Sequence, residues 1–308
     1  PNPSTRNQEQ FQNRFIDLIK TGRKIDTKTL GLDLGVNFVR FLTGKEHLHY
    51  GIWKEGIEVC AGNLLQAQEL YTQRLISHLP EGEHLSILDV GGGAGETALT
   101  LSKLGHDLEI VVPSSPLAKR CEAKMGQGTP VHNLGFEKYE TDRQFDVCLF
   151  SESFQYIPLE VSLKKARKVT RQGGLILISD CFRTPEGQQM KLKYRPVGGG
   201  HAITRFHEEV EKAGLEIAFM DDITDKVAPS IDLESELNKF IGSSIFRIDR
   251  ELKDKNPLIR GTMATIFRLL TRDKSRDKLK ERLEGHLRNK VEFCKYNCYL
   301  MVGMVNPQ

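Results

Sequence analysis

The chain has 308 residues, with 44 Lys plus Arg against 41 Asp plus Glu, a net charge of +3. That near balance makes no electrostatic demand for a nucleic-acid partner, and the length suffices for one large core with helical additions. The six cysteines form no C-x-x-C pair, and Cys148 and Cys181 lie in apolar runs, so they read as reduced thiols of a cytoplasmic protein. The opening PNPSTRNQEQ is too polar for a signal segment, and no apolar run nears the roughly 18 residues of a bilayer span.

Residues 1–80 read as a helical lid. Phe11, Phe15, Leu18 and Ile19 mark one helical face, and Phe38, Val39 and Leu42 mark another that stops at Gly44. A third helix spans about Asn63 to Leu79 and is halted by Pro80. Between the second and third sits HLHYGIW, which holds the chain's only tryptophan, Trp53. His47 and His49 share a face in extended chain and could be metal ligands, but no third ligand cluster accompanies them; the favoured reading is a loop near a cofactor, with no metal.

The core, residues 81–230, begins with ILDVGGGAGETALTLSKLG. Ile87, Leu88 and Asp89 form a buried strand, the glycines at 91, 92, 93 and 95 turn the chain, and a helix runs to Gly105. The dinucleotide fingerprint G-x-G-x-x-G fails in one frame at Glu96 and is met in another only in its looser form, Gly93, Gly95 and Ala98, which leaves a nicotinamide-dependent oxidoreductase as the alternative. An acid at the strand end would repel a pyrophosphate. Further strands are expected at Leu108–Val112, Thr129–Asn133, Phe145–Phe150, Leu175–Asp180, Leu215–Asp221 and Cys298–Val305. Helices are expected at Leu117–Met125, at Leu163–Thr170 (ended by Gly173 and Gly174) and at Arg205–Ala213. This alternation predicts an α/β fold with a doubly wound, mostly parallel seven-stranded sheet, completed by residues 292–308. Residues 231–291 are a helical insertion whose 271–290 stretch carries eight Lys or Arg against four Asp or Glu. Its simplest reading is an amphipathic helix with a solvated basic face.

Asp89-x-Gly-x-Gly-x-Gly resembles the first motif of the class I S-adenosylmethionine-dependent methyltransferases. HLHYGIW is similar to the HYG-(aromatic)-W stretch of the sterol, tocopherol and sarcosine methyltransferases and the related cyclopropane fatty-acid synthases, with Ile52 in the aromatic position. SESFQYIP, Ser151 to Pro158, resembles the E-S-x-x-H-(apolar)-P stretch of the sterol, tocopherol and sugar methyltransferases, with Tyr156 in place of the histidine. The resemblance covers about residues 45–308, and it implies that the insertion at 231–291 caps the substrate pocket. It implies S-adenosylmethionine as cofactor, with Asp89 near the methionine moiety, Gly91, Gly93 and Gly95 letting the chain's backbone approach the cofactor closely, and Tyr50 closing over it. It places Ser151 beside the cofactor and Phe136, within LGFE, at the adenine. Where the family puts an acid on the ribose this chain has Pro113, and Ser114 and Ser115 offer only neutral hydrogen bonds, about 0.5–1.5 kcal/mol each against about 1.5–3 for a charged acceptor.

Ligands of an open parallel sheet bind at the carboxyl ends of its strands. The candidate proton-handling groups there are His201, at the end of VGGGH, with Glu152 and Tyr156. Tyr50, Trp53, Phe154, Tyr156 and Phe182 are read as facing the pocket, which favours a small apolar or aromatic acceptor. The expectation is a small-molecule methyltransferase, monomeric or homodimeric, with no nucleic-acid partner and no membrane span. A methyltransferase acting on RNA or protein is a further alternative.

Overall fold

The computed structural model describes residues 27–82, 84–190, 198–270, 279, 283 and 288–307. The helix expected around Phe11 to Ile19 and most of the 271–290 stretch lie outside them. Helices α1 (Thr27–Thr43) and α2 (Leu64–Ile76) precede strand β1 (Ser86–Val90). Then come α3 (Glu96–Lys103), β2 (Asp107–Val111), α4 (Ser115–Met125), β3 (Val131–His132) and β4 (Phe145–Ser151). The second half holds α5 (Leu159–Val169), β5 (Thr170–Arg183), α6 (Pro185–Gln189), α7 (Ile203–Lys212) and β6 (Glu216–Asp222). Last are α8 (Thr224–Val227), α9 (Pro229–Lys255), α10 (Pro257–Leu270), α11 (Lys290–Tyr296) and β7 (Asn297–Val305).

The seven strands form one sheet in the order β3-β2-β1-β4-β5-β7-β6, with β7 antiparallel to both neighbours. From β1 the chain winds outward through β2 and β3, then returns to build the other half from β4. The crevice of this doubly wound sheet therefore opens between the carboxyl ends of β1 and β4. Both faces are covered. Successive residues of the central strands alternate between two cores: Cys148, Phe150, Ile176, Ile178, Val302 and Met304 point to one, and Val147, Leu149, Leu177 and Met301 to the other. This two-sided burial is why those strands are continuously apolar in sequence.

One boundary departs from expectation. Gly173 and Gly174 do not end a helix; α5 ends at Val169 and β5 already begins at Thr170. Gly173 donates its N–H to the Asn306 carbonyl, and Asn306 Nδ2 donates to the Thr170 carbonyl, so the end of the chain draws this segment into the sheet. The chain divides into two compact units, residues 33–236 with 286–308, which hold the sheet, and residues 1–32 with 237–285.

Candidate active site

The loop after β1 is a cradle of backbone. Gly91, Gly93 and Gly95 all have positive φ, which L side chains rarely adopt. At Gly91 a Cβ would also stand 2.3 Å from the Cβ of Ser153, so this glycine lets the loop after β4 close against the loop after β1. Ser153 Oγ donates to the Val90 carbonyl and ties the same two loops. Asp89 lies beneath the turn at 1% exposure, its Oδ2 against Gly92 and without a hydrogen-bond partner. Burial alone pushes its carboxyl up to about 7. A buried acceptor oxygen under a cradle of glycines suits a cationic amino group and would repel a pyrophosphate. The donor set fits S-adenosylmethionine.

Across the crevice, Glu152 follows β4 with φ +53, the left-handed region, and is the sole non-glycine residue there among the described residues. Its N–H donates to the Ser179 carbonyl, while its Oε1 accepts the Tyr50 N–H and the Tyr299 hydroxyl, both at 2.8 Å. Burial raises its carboxyl to about 8 despite those donors, and Asp180 next to it adds to the rise. Behind Glu152, Tyr299 and Tyr71 share a hydroxyl contact of 3.0 Å, and Tyr71 donates to Ser179 at 2.6 Å. Asp180, fully buried, accepts from the Gln155 and Cys181 N–H groups and from Gln155 Nε2, and burial raises it to about 7. The polar chain Glu152–Tyr299–Tyr71–Ser179 joins β4, β7, α2 and β5 through side chains far apart in sequence.

The HLHYGIW loop is held from every side. Gln68 Nε2 donates to the His47 and His49 carbonyls, and the Ser230 hydroxyl takes the Gly51 N–H and, at 2.8 Å, Trp53 Nε1–H. His49 Nδ1 faces the Tyr50 carbonyl at 2.9 Å and so carries the proton, which leaves Nε2 to accept from His47 Nδ1 at 3.0 Å. Burial depresses both imidazoles, His49 to about 3 and His47 to about 4. The pair is thus neutral and engaged with itself, and no three candidate metal ligands gather among the described residues. The Tyr50 ring stands edge-on to Phe293 and Tyr299. Near it, Arg288 pairs with Glu234.

The remaining candidates divide. Ser151 closes β4 with its hydroxyl 3.4 Å from Tyr71. Ser114 and Ser115 start α4 at the end of β2, and the Ser114 hydroxyl makes no helix-capping bond. Phe136 packs into the core with Tyr139 and Phe150. Phe154 and Phe182 are likewise core, packed edge-on and tilted around Phe206, and Trp53 is buried with its Nε1–H on Ser230; contrary to expectation, the rings of Phe154, on the turn after β4, and of Phe182, within β5, fill the core on one face of the sheet. Tyr156 is exposed. His201 spends its Nε2 proton on the Phe154 and Ile157 carbonyls, at 3.2 and 3.0 Å, and so staples its loop to SESFQYIP. Burial lowers its pKa and keeps it neutral. The glycines before it have a packing reason: a Cβ on Gly200 would lie 1.7 Å from the Cys181 carbonyl oxygen.

Tyr71, Tyr299 and Gln155 were not legible as site residues. Tyr71 and Tyr299 sit in apolar helical and strand patterns, where a tyrosine reads as core.

The methyltransferase domain family matches residues 88–178, from within β1 to within β5. No curated protein matches the chain in sequence. Solved structures match it over most of their length. The mycolic acid cyclopropane synthase CmaA1 shares 14% identity at a TM-score of 0.64, over 92% of this chain and 99% of that one. Geranyl diphosphate C-methyltransferase from Streptomyces coelicolor A3(2), solved with Mg2+, geranyl-S-thiolodiphosphate and S-adenosyl-L-homocysteine, shares 13% at 0.58, over 99% and 100%. The [4+2]-cyclase SpnF shares 15% at 0.62, over 89% and 93%. At such identities the likeness speaks to fold. The chain thus carries a methyltransferase domain within the fold shared by the class I S-adenosylmethionine-dependent methyltransferases.

Proposed function

We propose that the enzyme methylates a small, largely apolar acceptor, and that Glu152 takes up the proton the acceptor loses. The observation that carries this reading is the placement of Glu152, a buried carboxyl held near 8 and fixed by two hydrogen bonds across the crevice from Asp89. S-adenosylmethionine, when bound, supplies the methyl group on a sulfonium leaving group. The chain supplies alignment and proton handling. Asp89 and the glycine cradle would hold the cofactor, and Tyr50, fixed through its backbone on Glu152, would close one side. Ser114 and Ser115, at the end of β2, are the proposed ribose contacts in place of the family's acid. His201 we assign to positioning, since its Nε2 proton holds two loops together. A positioned base of this type contributes about 10²–10⁴-fold.

The Tyr50 ring packs edge-on against Tyr299 and Phe293 beside Glu152, and we assign its open side to the acceptor, which would suit an apolar substrate. Geranyl diphosphate C-methyltransferase and the cyclopropane synthase share the fold and handle isoprenoid and acyl chains, which agrees with such an acceptor. The test incubates the enzyme and its Glu152→Gln variant with methyl-labelled S-adenosylmethionine and apolar metabolite extracts. Label recovered in an organic-soluble product, and lost in the variant, supports the proposal. Cofactor bound without transfer to any acceptor would assign the chain a non-methylating role, on a fold that a [4+2]-cyclase also has. Stabilisation against heat by NADH rather than S-adenosylhomocysteine would return the glycine loop to the oxidoreductase reading.

A further inference from the structure

None of the residues assigned to the chemistry above lies in 237–285, and the surface of this stretch differs from the rest of the chain. Of 21 large hydrophobic side chains exposed among the described residues, ten fall in this stretch of 49. On α9, Ile241, Ile245 and Ile248 follow the i, i+4, i+7 spacing of one helical face; on α10, Ile259, Met263 and Phe267 step by four. These are the stripes that a globular helix ordinarily buries, yet all six are exposed. Phe240 and Phe246, 69% and 68% exposed, stand among Lys239, Arg247, Arg250 and Lys253, and Leu258 at the start of α10 is 86% exposed.

The charge of the stretch points to what covers it. Residues 237–285 carry 13 Lys or Arg and 7 Asp or Glu, an excess of six in a chain of net +3, so the remainder is net −3. A second copy of the same surface would bring two such excesses together. A nucleic acid would answer the charge and leave phenylalanines and isoleucines in water. An anionic bilayer answers both on the basic face of α9, because headgroup phosphates meet the basic side chains while Phe240 and Phe246 between them enter the acyl boundary. No described helix is long and apolar enough to cross a membrane, so the contact lies at the interface. We propose that residues 237–270 dock the enzyme on anionic lipid bilayers through Phe240, Phe246, Leu258 and the basic side chains around them.

The test is co-sedimentation of the full chain with phosphatidylcholine vesicles, with and without phosphatidylglycerol. Binding should be at least about tenfold tighter with the anionic lipid and should fall as salt is raised from about 0.1 M to about 1 M, which shortens the screening length from about 10 Å to about 3 Å. Phe240→Glu with Phe246→Glu, and separately Leu258→Glu, should each weaken it at least about tenfold. Both variants should keep the thermal stabilisation given by S-adenosylhomocysteine, which separates this docking from the cofactor site. Equal binding to neutral vesicles, or variants that bind like the parent, would overturn the proposal. So would retention of tRNA in place of vesicles, or self-association abolished by the same substitutions without any vesicle binding.

Discussion

Asp89→Asn separates the two things that the buried carboxylate does. In the ligand-free chain, Asp89 Oδ2 is buried without a partner, and burial lifts the carboxyl from 3.8 to about 7. An acid whose folded-state pKa lies above its unfolded value binds a proton on folding. Its contribution is therefore complete below about pH 4 and is lost as pH rises to about 7. Three units correspond to about 4 kcal/mol at about 1.36 kcal/mol per unit. The asparagine variant cannot ionise, so it should escape that loss and melt above the parent at pH 8 while matching it more closely at pH 5. With ligand the order reverses. A carboxylate facing an ammonium makes a charge-assisted bond of about 1.5–3 kcal/mol, so the variant should bind S-adenosylhomocysteine about 10- to 100-fold more weakly. Thermal melts from pH 5 to 8.5, with calorimetric titration of S-adenosylhomocysteine, read both halves. Unchanged affinity, or a parent and variant that lose stability in parallel over that range, would refute the assignment of Asp89.

Glu152→Gln keeps an oxygen for the Tyr50 and Tyr299 donors, so cofactor affinity should hold while turnover falls about 10²–10⁴-fold. Tyr299→Phe removes a donor that lowers the Glu152 pKa, so the alkaline-rising limb of the pH–rate profile should move to higher pH and disappear in the Glu152→Gln background. His201→Ala should slow turnover without weakening cofactor binding, and by the same factor across pH 6.5–8.5, since burial keeps this imidazole neutral there; loss of cofactor affinity would place it elsewhere in the mechanism. Gly91→Ala must place a Cβ at φ +81 and 2.3 Å from Ser153, and should cost about 2–4 kcal/mol in a denaturant melt.

The sequence by itself determined the sheet. Two-sided burial writes long apolar runs such as FDVCLF and LILISD, and a backbone that must turn with positive φ writes GGGAG; both are local demands that local residue choice answers. Asp89 was legible for the same reason, as an acid where a buried strand meets that turn. Glu152 was legible through SESFQYIP. What the tertiary structure decided was the meaning of side chains whose partners lie far along the chain. Tyr71, Ser179 and Tyr299 become a polar relay only when α2, β5 and β7 meet behind Glu152, over separations of 108 and 228 residues. His201 read as a candidate proton-handling group at the end of VGGGH. Its Nε2 in fact faces two carbonyls 44 and 47 residues away, and Gly200 is a glycine because the Cys181 carbonyl of β5 leaves no room for a Cβ. Phe154 and Phe182 looked like pocket walls because they sit near strand ends, yet both rings enter the core on one face of the sheet, Phe182 from within β5 itself. Periodicity and turn chemistry are carried by neighbours in sequence, whereas a hydrogen-bond partner is chosen by the packing of the whole sheet.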